Sequence, residues 1–215
     1  MSSTRIRRAR LAPRKLPQQA RSEATVEAIL QAAAQVFERH GYAAGTTNRI
    51  AERAGVSIGS LYQYFPSKDA ILLALAHRHI AEGTTLLRPQ LDRLSAGRPL
   101  DDVLGEVIEA MVALHASAPQ LHRVLFEETP LPETLRAELA AAEDALVEVV
   151  AGSIAAQSDT STGDHRLAAR VIVSAIEGLT HRLVLRPAGV SPEDIVAEVT
   201  TLVRGYLVSI LPTRP

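Results

Sequence analysis

Polar side chains suited to binding phosphate groups and base edges are concentrated between residues 46 and 68 of this 215-residue chain. Hydroxyls, side-chain amides, a tyrosine phenol and a lysine amine lie there within a few residues of one another. Such groups donate hydrogen bonds to phosphate oxygens, and hydroxyls and amides also reach base edges in a DNA groove. We predict nucleic-acid contacts from Thr46, Thr47, Asn48, Ser57, Gly59, Ser60, Tyr62, Gln63 and Lys68.

The sequence offers no comparable set of residues for catalysis or metal binding. It contains no cysteine, which excludes disulfides, thiol catalysis and cysteine metal sites. His77 and His79 are two residues apart and cannot share a helix face, and the spacing of Glu177 and His181 is by itself a weak signal. No G-x-S-x-G, H-E-x-x-H or phosphate-loop motif occurs. We therefore expect no catalytic residue, no metal and no cofactor.

Two short helices joined by a tight turn must position the predicted contact residues. Thr46 can cap a helix over 47–54, and Gly55 ends it in the left-handed conformation that only glycine adopts without penalty. Ser57 can cap a second helix over 58–65, which stops at the proline that follows. The seam between the helices is predicted to bury Ile50, Ala51, Ala54, Val56, Leu61 and Tyr64. This is a helix-turn-helix, whose second helix enters the DNA major groove with its N-terminal residues nearest the bases.

Helical periodicity with clear start and stop signals covers most of the remaining chain. One helix carries the apolar stripe Ile29, Ala33, Val36 and Phe37 and stops at Gly41. No segment shows strand periodicity over more than a few residues, so we predict an all-α fold with about nine helices. Outside the helix-turn-helix, the predicted helices span 22–40, 68–94, 100–116, 119–127, 132–157, 164–185 and 192–211.

The charges divide the chain into two parts. The net charge is −1, but residues 1–70 hold eleven Lys and Arg against five Asp and Glu, whereas residues 71–215 hold twelve against nineteen. A basic head on an acidic body suggests that the head meets an anionic partner. We predict a basic disordered arm over 1–20, a three-helix helix-turn-helix domain over 21–81 with its motif at 47–66, and a helical body over 82–215. The arm is equally compatible with a solubilising tail and with a nucleic-acid contact.

Membrane and secretory segments are not expected. No apolar run approaches the roughly 18 residues of a transmembrane helix. The basic start, residues 1–15, is not followed by the apolar stretch of a secretory signal. We therefore expect a cytoplasmic protein without a membrane partner.

Residues 41–72, GYAAGTTNRIAERAGVSIGSLYQYFPSKDAIL, resemble the DNA-binding region of the TetR family of bacterial transcriptional repressors. The resemblance extends over about residues 22–80 and implies a homodimer on a palindromic operator, released by a small-molecule effector. The resemblance implies DNA contacts by Thr47, Asn48, Gly59, Ser60, Tyr62, Tyr64 and Lys68. Tyr64 thus has two predicted roles: its spacing indicates a seam residue, and the resemblance implies a phosphate contact. The chain departs from the family pattern at Gly45, where a hydroxyl residue is common, and in its longer basic arm, which could enter a minor groove.

The last two predicted helices are apolar on more than one side, which requires burial on both. In 164–185 one stripe is Ile172, Ile176, Leu179 and Leu183, and the other is Leu167, Val171, Ser174 and Gly178. In 192–211 one stripe is Ile195, Val199, Leu202 and Tyr206, and the other is Val196, Val203, Leu207 and Ile210. The two helices could be central to a monomer. The family resemblance favours instead a homodimer interface built from them.

An effector cavity is expected between the middle helices of the body, because polar or soft side chains interrupt their apolar faces. The candidate lining residues are Met111, His115, His122, Phe126, Glu177 and His181. The chain is thus predicted to be a sequence-specific transcriptional regulator, a repressor that a small molecule releases from an inverted-repeat operator. Two alternatives are a ligand-blind architectural DNA binder and a helical enzyme with a DNA-binding head.

Overall fold

The computed structural model describes residues 20–129, 131–157, 164–186 and 189–211. These residues form helices and no strand, which confirms the predicted all-α fold. The helices are α1 (Ala20–Ala44), α2 (Thr47–Ala54), α3 (Ile58–Tyr64), α4 (Lys68–Ser95), α5 (Leu100–Ala116), α6 (Pro119–Phe126), α7 (Glu133–Gln157), α8 (His165–Leu185) and α9 (Pro192–Ile210). The predicted arm over 1–20 lies, apart from its last residue, outside the described residues.

The described residues divide into two compact units. One comprises the chain up to Glu82 together with Ala118–Pro130, and the other comprises Gly83–Ser117 together with the chain from Leu131 onward. The first unit therefore includes α6, which packs against α1. The sequence prediction had assigned this segment to the body, because nothing local in its residues marks the helix against which it packs.

The first unit has an apolar core to which α1, α2, α3 and α4 all contribute. The predicted stripe on α1 is buried, with Ile29, Ala33 and Phe37 wholly inaccessible. Each large aliphatic or aromatic side chain buried in this way stabilises the fold by roughly 1.5–3 kcal/mol. Gly41 adopts φ 68° and ψ 178° and breaks the helical path of α1 at the residue where the sequence predicted its stop.

The core of the second unit lies among α5, α7, α8 and α9. The helix α8 packs against each of the other three, and α9 also packs against α5. Leu104, Ile108, Val147 and Ala169 are fully buried there, together with other aliphatic side chains. The protein has no tryptophan and only 3% aromatic residues, so this core is built almost wholly from aliphatic packing.

The two apolar sides of α8 differ in burial within the chain. Ile172 and Ile176 face the core, whereas Leu167 and Val171 are 57% and 44% exposed. One side of α8 therefore packs in its own unit and the other presents apolar surface.

The predicted grouping on α9 was wrong. The buried residues of this helix are Ile195, Val199, Val203 and Leu207, two from each predicted stripe, and Leu202 is 56% exposed. A row of residues four apart slants around a helix, and helices that cross at an angle pack along such ridges. The helix α9 packs against both α5 and α8, and its buried face follows such a slanted row instead of a straight stripe.

Among the described residues, no helix combines the length and the apolar character needed to span a membrane.

Candidate nucleic-acid interface

The turn between α2 and α3 has the backbone that the sequence predicted. Gly55 adopts φ 67° and ψ 27°, and its N–H donates to the carbonyl of Glu52 at 3.2 Å. The next N–H, that of Val56, donates to the carbonyl of Ala51 at 3.0 Å. A Cβ at Gly55 would meet no atom within 4 Å, so the left-handed backbone, and not a lack of space, requires glycine at this position.

The seam between the two helices is buried at its centre and half-buried at its edges. Ile50, Ala51 and Leu61 are inaccessible or nearly so, as predicted, and Phe65 joins them. The other predicted seam residues, Ala54, Val56 and Tyr64, are half-buried. The seam thus holds α3 in a fixed position against α2.

Hydroxyl caps fix the N-termini of both helices. The Thr46 Oγ1 accepts the N–H of Arg49 at 3.3 Å, and the Ser57 Oγ accepts the N–H of Ser60 at 3.0 Å. The Ser57 hydroxyl also donates to the Ser60 Oγ at 3.0 Å. Both predicted caps are confirmed. Because Ser57 already donates its only hydroxyl proton, Ser60 is better able to donate to DNA.

One face of α3 is exposed along its length. Ile58 and Tyr62 are 39% and 40% exposed, and Gly59 and Gln63 are exposed as well. At the start of α2, the cap residue Thr46 and the helix residue Asn48 are exposed, and Thr47 is half-buried. The Tyr62 hydroxyl lies 3.1 Å from the Thr47 Oγ1. The structure therefore brings two predicted contact residues from different helices into one hydrogen-bonded pair.

Two glycines of this unit differ in what surrounds them. A Cβ at Gly59 would meet only the Ser57 Oγ, at an ordinary 3.8 Å. A Cβ at Gly45 would come within 2.5 Å of the Phe37 ring and 2.9 Å of the Gly41 carbonyl oxygen. Packing against Phe37 therefore explains why glycine replaces the hydroxyl residue common in the family pattern at Gly45.

Tyr64 connects α3 to α1. Its hydroxyl donates to the Ser22 Oγ at 3.4 Å, and its ring is half-buried at the seam. The sequence analysis did not identify Ser22 as its partner, because Ser22 lies 42 residues away along the chain. The phosphate contact proposed for Tyr64 stays a prediction.

The Lys68 amine at the start of α4 is held by Tyr42. Lys68 Nζ donates to the Tyr42 carbonyl oxygen at 2.6 Å and lies 3.8 Å from the centroid of its ring. Burial lowers the pKa of the Lys68 amine, and the negative charge of Asp69 partly offsets this. Burial and a hydrogen bond to Asp69 raise the pKa of the Tyr42 hydroxyl well above its usual range. Tyr42 was not among the predicted site residues, because its contact with Lys68 joins positions 26 residues apart in the sequence.

The residues predicted to line an effector cavity fall in both units. In the first unit, His122 is buried with its ring 4.7 Å from that of Phe126, and the His79 ring lies 4.9 Å from that of His122. In the second, His115 is buried and its ring lies 6.0 Å from that of His181. The other two members of the set, both in the second unit, are Met111, which is half-buried against the core, and Glu177, which is exposed. The assignment of these six residues to an effector cavity stays a prediction.

Two segments of the chain match known protein families. Residues 29–75 match the family described as "Bacterial regulatory proteins, tetR family". Residues 99–207 match the family described as "Tetracyclin repressor-like, C-terminal domain". Together the two matches cover most of both structural units.

Curated relatives are named as transcriptional regulators. The HTH-type transcriptional activator FasR of Mycolicibacterium smegmatis is 31% identical over 147 residues, which cover 68% of this chain and 66% of FasR. The HTH-type transcriptional repressor KstR of the same organism is 34% identical over 88 residues, which cover 39% of this chain and 41% of KstR. The chain spans between 37% and 66% of the lengths of the first curated relatives that it matches.

Solved structures share the fold over most of the chain. The regulator FadR from Bacillus subtilis, in complex with stearoyl-CoA, is 25% identical with a TM-score of 0.64, and the match covers 86% of this chain and 99% of FadR. AibR in complex with isovaleryl coenzyme A and operator DNA is 18% identical with a TM-score of 0.63, and the match covers 83% of this chain and 97% of AibR.

Proposed function

Since this chain belongs to the TetR family of bacterial regulatory proteins, we propose that it is a sequence-specific DNA-binding transcriptional regulator. The observation that carries the proposal is the exposed face of α3, which is fixed by a buried seam and capped at its N-terminus. Gln63 and the hydroxyl of Ser60 are available for base edges, and the Thr47–Tyr62 pair is available for the flanking phosphates.

A homodimer with an inverted-repeat operator is part of this proposal. The sides of α8 and α9 that present Leu167, Val171 and Leu202 are apolar and exposed within the chain. An isologous interface would cover them and place two recognition helices in successive major grooves, about 34–36 Å apart.

The effector class that we propose is an acyl-CoA thioester. The support is the likeness to the Bacillus subtilis FadR, whose structure holds stearoyl-CoA. The acyl-CoA would bind one conformation of the dimer better than the other and so lower the population that fits the operator. This function needs no catalytic residue and no cofactor, and places the protein in the cytoplasm with the DNA.

Selection from a randomised pool of DNA duplexes tests the proposed function. We expect the full-length protein to enrich an inverted repeat, and stearoyl-CoA or isovaleryl-CoA to release the enriched duplex while coenzyme A itself does not. Enrichment of no sequence over random duplex would overturn the proposed function and favour an architectural DNA binder. Enrichment without release by any acyl-CoA would overturn only the effector class.

A further inference from the structure

The Lys68 amine makes two contacts with one residue of the protein itself. Its amine is bound by a carbonyl oxygen at 2.6 Å and lies over an aromatic ring at 3.8 Å, both belonging to Tyr42. A lysine amine has three N–H donors, and the carbonyl uses one of them. The remaining two are available for an oxygen of the DNA backbone.

Tyr42 is itself fixed at both its backbone and its side chain. Its N–H donates to the Glu128 Oε2 at 3.1 Å, across 86 residues of sequence. Its hydroxyl donates to the Asp69 Oδ1. Gly41, with its left-handed φ of 68°, turns the chain so that the next residue leaves the path of α1. Glu128 and Asp69 therefore fix the backbone and the side chain of Tyr42, and with them the position of its carbonyl oxygen.

The Glu128 carboxylate is also held in place. Its second oxygen accepts the side-chain amide of Gln120 at 3.2 Å and lies 3.4 Å from the Arg123 Nε. These partners lie on α6, which belongs to the same structural unit as Tyr42 and Lys68. A chain of contacts thus runs from α6 through Glu128 and Tyr42 to the Lys68 amine.

We propose that Tyr42 is a positioning residue that holds the Lys68 amine ready for an operator phosphate, and that Glu128 fixes Tyr42 for this role. The inference rests on the proposed function and adds to it two residues that act through Lys68. A flexible lysine would lose side-chain freedom on binding a phosphate, whereas a lysine held by Tyr42 has already lost it. The affinity gained through Tyr42 must then depend on Lys68.

A double-mutant cycle tests this dependence, with the selected inverted-repeat duplex as the probe. We expect Tyr42→Leu to weaken binding about five- to tenfold in the natural protein and by less than twofold in the Lys68→Ala background. Each of the two single variants should also lower the slope of log affinity against log salt by about one per lost phosphate contact in each protomer. Equal losses from Tyr42→Leu in both backgrounds would overturn the inference, because they would show that Tyr42 acts through the fold.

A second pair of variants tests the same inference if Tyr42→Leu does not fold. Glu128→Ala removes the acceptor of the Tyr42 N–H, whereas Glu128→Gln keeps an oxygen acceptor at that position. We expect Glu128→Ala to weaken binding of the duplex only where Lys68 is present. Glu128→Gln should keep most of the affinity of the natural protein. Equal weakening by Glu128→Ala with and without Lys68 would overturn the inference. Failure of the natural protein to prefer any duplex would instead overturn the proposed function, and the inference with it.

Discussion

Two glycines of the first unit differ in whether packing within the protein requires them. Gly45 is required by the fold, because a Cβ there would overlap the Phe37 ring. Gly59 has room for a Cβ within the protein, yet it lies on the exposed face of α3. The fold does not explain glycine at this position, whereas the proposed function predicts a close approach of α3 to DNA there.

Gly59→Ala separates folding from DNA binding. We expect the variant to be as stable as the natural protein or up to about 1 kcal/mol more stable, because alanine favours a helix over glycine. We also expect its operator affinity to fall about tenfold, since the new methyl group would stand between α3 and the DNA. Urea unfolding and fluorescence anisotropy with a labelled duplex measure the two effects.

Gly152→Ala is the matched control, because it adds a Cβ with no neighbour within 4 Å on an exposed position of α7. It should show the stability gain without the loss of affinity. An unchanged operator affinity in Gly59→Ala would show that the glycine is not needed for DNA approach.

The Glu177 carboxyl is expected to make the folding stability of the protein depend on pH. Although Glu177 is exposed as a residue, partial burial of its carboxyl and the charge of Glu143 raise the pKa of that carboxyl above the ordinary 4.5, and His181 partly offsets this. In the unfolded chain this carboxyl ionises at about 4.5, so its ionisation costs folding stability as the pH rises from 4.5 through the raised pKa. Below 4.5 both states are protonated and the cost is absent.

Glu177→Gln removes this cost. Because solvent screens the charge of an exposed residue, we expect its melting temperature to rise by no more than about 1 °C at pH 7 and to match that of the natural protein at pH 4. Glu109→Gln, on an exposed position of α5, is the control and should change neither value. A rise of the same size at both pH values would show that the effect does not come from the Glu177 charge.

At the scale of elements, α6 depends on α1 for its N-terminal cap. The residue before it, Ala118, offers no side-chain cap. The Glu38 carboxylate of α1 instead accepts the N–H of Gln120 at 3.4 Å and that of Leu121. A carboxylate at this end of a helix satisfies unpaired N–H groups and favours the positive end of the helix dipole.

Glu38→Ala tests the cap. We expect a loss of about 1 kcal/mol in stability, together with faster amide hydrogen exchange confined to residues 119–126. Glu109→Ala is again the control, because it removes an exposed carboxylate on α5. Unchanged exchange in α6 would show that its N-terminus is held by other contacts.

At the scale of the whole molecule, four large apolar side chains that one chain leaves exposed lie on α8 and α9. Leu167, Val171, Leu202 and Val208 are between 44% and 67% exposed. Apolar side chains grouped on neighbouring helices mark an interaction surface more strongly than scattered ones. The proposed homodimer covers them with a second copy of the chain.

Leu202→Glu would bury a charge at this interface. We expect the variant to sediment as a monomer at concentrations where the natural protein is a dimer, and to lose at least tenfold in operator affinity. Leu86→Glu changes an exposed leucine on α4 and should leave both measurements unchanged. A dimeric Leu202→Glu variant would place the interface elsewhere.

The sequence by itself determined the local structure of this protein. The helix-turn-helix, its two hydroxyl caps and the left-handed Gly55 follow from neighbouring residues and backbone sterics, which do not depend on distant parts of the chain. The apolar stripe of α1 likewise predicted which of its residues are buried. The exposed face of α3 can also be predicted from the sequence, because the seam residues leave only one side of that short helix uncovered.

Only the tertiary structure decided the features that join residues distant in sequence. Tyr42 meets Lys68 across 26 residues and Glu128 across 86, and no local signal in these residues encodes either partner. The slanted buried row of α9 depends on its packing against both α5 and α8, and the periodicity of one helix does not contain the position of its neighbours. Docking of α6 on α1 depends in the same way on Glu38, whose role as a cap exists only once both helices are in place.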